Sequence, residues 1–97
     1  MKLSVQGLHY RTSGSAAPFD LFNREFEGIE GFLGQTLEVG CRNYALRIDE
    51  IEENGLALTF VFEDGEESLS LSLGQKETLR HVRNVLGVEV TFELSKE

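Results

Sequence analysis

A single cysteine, Cys41, excludes an intramolecular disulfide framework, and a reducing, cytoplasmic setting follows as the expectation. The only histidines are His9 and His81. They lie too far apart in sequence for metal ligands at helical spacing, so neither a metal nor another cofactor is expected. No apolar run approaches the ~18 residues of a membrane span. The opening MKLSVQGLHYR also lacks the uninterrupted apolar core of a signal peptide, so no membrane role is expected. Basic residues are scarce, nine against 17 acidic ones, giving a net charge of −8. Direct nucleic-acid binding through a basic footprint is therefore disfavoured.

What is present is enough for one folded domain spanning residues 1–97. The chain is 40 % hydrophobic with seven phenylalanines, too apolar for a disordered segment. The most legible stretch runs from Tyr44 to Leu73. Asn54-Gly55 and Asp64-Gly65 are strong hairpin-turn dipeptides, and they separate runs of strict alternation. Leu46, Ile48, Leu56, Leu58, Phe60, Phe62, Leu69, Leu71 and Leu73 fall on one face of the three strands this implies. Ala45, Arg47, Asp49, Ala57, Thr59, Val61 and the serines fall on the other, with Ile51 near them. A two-residue Asp64-Gly65 loop would place Phe60 opposite Leu69. A three-residue Glu53-Asn54-Gly55 loop, with Gly55 left-handed, would place Ile48 opposite Phe60.

The flanking segments read as follows. Residues 2–10 form a first strand, with a glycine bulge at Gly7 where the apolar phase shifts to Leu8 and Tyr10. Residues 11–18 form a loop. Phe19, Phe22, Phe26, Ile29 and Leu33 recur at spacings of three and four, which predicts an amphipathic helix near 19–27. A short strand, 36–41, places Leu37, Val39 and Cys41 on one side, with Cys41 as a buried core residue. In residues 75–86, Leu79, Val82, Val85 and Leu86 fit one helical face ahead of Gly87, so a second helix is predicted there, with a strand as the alternative. Residues 88–94 alternate as a last strand. The expected fold is α+β, ordered β-α-β-β-β-β-α-β: an antiparallel sheet or partly closed small barrel with one or two helices packed on it. A purely β barrel is the alternative.

No arrangement of residues announces catalysis, and the chain is not expected to be an enzyme. Gly28, Gly31 and Gly34 do not sit between a strand and a helix as a dinucleotide loop requires. Two charged constellations remain. His9, Arg11, Arg80, His81 and Arg83 would converge if the first and last strands pair, making a cationic patch for a phosphate or a partner's carboxylate. Asp49, Glu50, Glu52, Glu53, Glu63, Asp64, Glu66 and Glu67 form an acidic set around the two turns, with no basic residue in 49–67. Solubility and resistance to edge aggregation account for such charges without a partner.

The reading that follows is a small acidic interaction or regulatory domain without catalytic activity. Its expected partner is another protein, or a second copy of the chain joined through a sheet edge or the Phe-rich segment. The alternatives are a small-ligand-binding β-barrel with a partly hollow interior and an acidic inhibitor of phage type that mimics nucleic acid.

Overall fold

Extended strands make up most of the described chain, including the two segments where the spacing suggested helices. The structure, a computed structural model, describes residues 1–14, 17–40 and 43–97. It contains eight strands: β1 (Lys2–Arg11), β2 (Phe19–Phe26), β3 (Thr36–Glu38), β4 (Ala45–Glu52), β5 (Gly55–Val61), β6 (Glu66–Ser72), β7 (Lys76–Arg83) and β8 (Leu86–Ser95). A 3-10 turn, Ile29–Phe32, links β2 to β3. Among the described residues there is no α-helix, so the α+β expectation is corrected to an all-β fold.

The strands form two four-stranded antiparallel sheets, ordered β2-β1-β8-β7 and β3-β4-β5-β6. Within the first sheet β8 returns to pair with β1, and in the second the strands pair in chain order. Phe60 of β5 packs edge-on against Phe92 of β8, centroids 5.6 Å apart, so the two sheets face each other across a shared core. Leu3, Val5, Leu46, Ile48, Leu58, Phe60, Val90, Phe92 and Leu94 are wholly buried there.

Both helix predictions fail for identifiable reasons. In β2 the pairing with β1 slips between Gly7↔Phe22 and His9↔Phe19, leaving one extra residue in β2. Asp20 there has a left-handed φ of 48°. This bulge puts Phe19 and Phe22 near one another despite an odd spacing, so a kinked strand imitates a helical stripe. The irregularity expected at Gly7 thus lies in the partner strand, and β1 pairs with β8 without a break. In β7 the inward positions are Glu77, Leu79, His81 and Arg83, opposite Phe92, Val90, Val88 and Leu86. Three of the four are polar, which hides the alternation. Val82 and Val85, assigned to a helical face, are 52 % exposed. Asn84, at φ 58°, begins the two-residue turn into β8.

The meander keeps its expected faces but not its expected registers. Phe60 pairs with Glu67 and Leu58 with Leu69, two residues away from the predicted match. Leu46 pairs with Phe60 and Ile48 with Leu58, again displaced by two. The first turn is Glu53-Asn54, and a bulge at Asp49 brings Ile51 to the core side opposite Leu56. A shift of two leaves every side chain on its face, so hydrophobic pattern alone does not distinguish these registers. Gly55 is not left-handed. It begins β5, where a Cβ would lie 2.6 Å from the carbonyl oxygen of Leu71.

Two glycines in the other sheet serve as seats for rings. A Cβ on Gly7 would meet the Phe22 ring at 2.0 Å, and one on Gly87 the Tyr10 ring at 2.3 Å. Each ring belongs to the residue directly across the ladder, so glycine's missing side chain is replaced by an aromatic from the next strand. The predicted role of Cys41 falls outside the described residues.

Candidate binding cleft

The inward row of β1 runs Leu3, Val5, Gly7, His9, so the apolar sequence ends in an imidazole at the mouth of the sandwich. Around that mouth lie Tyr44, just before β4, and Phe62, just after β5. Glu63 and Asp64 come from the β5–β6 turn, His81 and Arg83 from β7, Asn84 and Val85 from the β7–β8 turn, and Leu86 and Val88 from β8. Together they bound a cleft of about 320 Å³.

His9 is 2 % exposed. Its Nε2 lies 3.1 Å from the Tyr44 hydroxyl, and its Nδ1 has no hydrogen-bond partner among the described residues. A buried polar atom without a partner costs about 1–3 kcal/mol. Its ring stacks against Tyr44 at 5.6 Å and Phe19 at 5.8 Å. On the opposite wall the His81 ring lies over Phe62, centroids 4.4 Å apart and planes within 16°.

The charges at the mouth are arranged in opposition. His81 Nε2 and Asp64 Oδ1 are 2.7 Å apart. The hydrogen bond from His81, followed by the charges of His81 and Arg83, holds the Asp64 carboxyl below the usual carboxylate range despite some desolvation. Arg83 approaches Glu63 at 3.8 Å and Asp64 at 3.9 Å, longer than hydrogen bonds.

The expected cationic patch is thus only partly assembled. β1 and β8 do pair, and His9, His81 and Arg83 line one cleft. Arg80 points to the outer face of its sheet, bonded to Glu89 at 3.0 Å. Arg11, at the end of β1, lies over the Phe19 ring at 5.8 Å and does not line the cleft.

The acidic set is divided as well. Asp49 belongs to a polar network on the outer face of the other sheet, accepting from Thr59 and from Arg47 at 2.7 Å. The Ser68 hydroxyl supplies the proton between it and Thr59, 2.8 Å apart. Thr59, only 1 % exposed, is thereby satisfied. Glu50, Glu52 and Glu53 lie by the β4–β5 turn, and Glu63, Asp64, Glu66 and Glu67 by the β5–β6 turn. The seven residues of β5 separate the two groups by about 20 Å, one at each end of the sheet. They do not make the continuous acidic face that nucleic-acid mimicry would use.

Among the described residues no group of three or more potential ligands could hold a metal ion. Among the described residues, no helix is long and apolar enough to cross a membrane. The residues that sequence reasoning missed at the cleft are Tyr44, Phe62, Asn84, Val85, Leu86 and Val88. Their individual signals are those of core or turn residues, and only folding gathers them. Compared with known protein families, with curated proteins and with solved structures, the chain matches none.

Proposed function

We propose that the chain is a small interaction domain without catalytic activity, and that it engages a partner protein through the mouth cleft. The observation that carries this reading is His9, an imidazole buried at the rim of an otherwise filled apolar core with Nδ1 unpartnered. A core position that tolerates such a group at a cost in stability is characteristic of a binding site. The lining supports binding by offering aromatic faces, aliphatic surface and opposed charges.

The test is affinity capture from the native host with two variants. Val85→Trp, at an exposed turn position of the lip, fills the cleft and is expected to abolish capture of a stoichiometric partner. Thr78→Arg, on the outer face of the opposite side of the sheet, is expected to leave capture unchanged. Loss of capture with Thr78→Arg and retention with Val85→Trp would place the interaction elsewhere and overturn the assignment.

A further inference from the structure

Four rings follow one another around the cleft. His9 stacks on Tyr44 at 5.6 Å, Tyr44 meets Phe62 edge-on at 6.0 Å, and Phe62 stacks on His81 at 4.4 Å. Two carboxylates, Glu63 and Asp64, stand at the lip beyond Phe62. Aromatic faces carry negative quadrupole potential and attract cations, most strongly where water is excluded. Carboxylates at the rim attract the same sign from further away, and the chain's net charge of −8 extends that attraction.

The cations at this mouth are already answered by acids. His81 is bonded to Asp64, and Arg83 lies 3.8–3.9 Å from both lip carboxylates while remaining 59 % exposed. An anion would meet two carboxylates before any unengaged positive group, whereas a cation meets those carboxylates directly, with His81 on Asp64 and Arg83 beside both among its competitors. The long Arg83 contacts make its displacement inexpensive, since an exposed pair of this kind contributes about 0–1 kcal/mol.

Given that the cleft is the binding site, we propose that its ligand is a basic side chain, lysine or arginine, presented by the partner protein. The alkyl stem lies against Leu86 and Val88, the charged head is held by the rings and the lip carboxylates, and Arg83 is an internal competitor for the same place. A volume of about 320 Å³ accommodates one such side chain with its solvent.

The competitor gives the proposal a test with opposite signs. Nα-acetyl-arginine amide is titrated into the labelled protein and followed by the backbone amide resonances of His9, Asp64 and Asn84. The uncharged acetyl-citrulline amide and inorganic phosphate serve as comparison probes. The arginine probe is expected to shift these resonances and the citrulline probe to bind more weakly. Arg83→Gln is expected to tighten the arginine probe about threefold by removing the competing cation. Glu63→Gln and Asp64→Asn are each expected to weaken it by a similar factor, with unchanged spectral dispersion showing that the fold is kept.

If phosphate shifts the cleft and Arg83→Gln abolishes that shift, the charge assignment is overturned while the cleft remains a binding site. If neither charged probe moves these resonances, the proposal is overturned, and the capture experiment decides separately whether the cleft binds a partner at all.

Discussion

Replacing both His9 and Tyr44 by phenylalanine is expected to make the protein more stable. His9 Nδ1 is buried without a partner, a cost of about 1–3 kcal/mol that the apolar ring removes. The His9–Tyr44 hydrogen bond is lost at the same time, at a net cost of about 1 kcal/mol. The added ring carbons are received by the neighbouring Phe19, Phe22 and Tyr44 rings and by the open side of the cleft, so overpacking is small. The expected balance is a gain of about 1 kcal/mol, or ~4–8 °C in Tm for a domain of this size.

The single variants carry the diagnosis. Tyr44→Phe alone takes the hydroxyl away from the imidazole and is expected to destabilise by about 1–2 kcal/mol. His9→Phe alone is expected to lie between the double variant and the parent. Urea unfolding followed by circular dichroism at neutral pH gives all four corners of the cycle, with an expected coupling of about 2 kcal/mol. A double variant less stable than the parent would refute the view that His9 is held at a cost. The same double variant is expected to lose its partner, because two of the four rings of the cleft lose their polar edges.

Other expectations follow from particular contacts. Gly55→Ala should destabilise by about 1–3 kcal/mol because its Cβ meets backbone of β6. Gly65→Ala, with open space at the Cβ and no left-handed φ, should be close to neutral; comparison of urea midpoints decides both. Phe60→Ala removes the ring that joins the sheets and should cost about 3–5 kcal/mol, seen in thermal unfolding. Asp49, whose carboxyl is held below its usual range by the Thr59 hydroxyl and then by Arg47, contributes to the acid limb of stability. A depressed folded-state pKa means that its contribution is present above the ordinary carboxylate range and is lost as pH falls through the folded value. Asp49→Asn should therefore flatten the stability–pH curve below about pH 4, and an unchanged acid limb would exclude that role.

How much of this was legible depended on whether local pattern and tertiary environment agree. Between Tyr44 and Leu73 they do. Leu46, Ile48, Leu56, Leu58, Phe60 and Phe62 alternate without interruption, and every one of them is buried. Where a bulge or an inward polar residue breaks the alternation, the pattern misleads. Asp20 makes Phe19 and Phe22 look helical, and His81 and Arg83 disguise β7 because their inward faces meet a cleft instead of core. The candidate site was half visible for the same reason. His9, His81 and Arg83 stood out as charged or titratable groups, whereas Tyr44, Phe62 and Val88 read as ordinary core until the two sheets close over them.

The residues by themselves determined which side of each meander strand is apolar, because a strand presents alternate positions to alternate faces whatever its neighbour does. They also determined that the chain is acidic and that metal or disulfide chemistry has little material to work with. Register, the assignment of β2 and β7 as strands and the existence of the cleft were decided only in three dimensions. Strand pairing is a contact between distant segments, and its energy depends on what each residue meets across the ladder and across the core. No window of neighbouring residues contains that information.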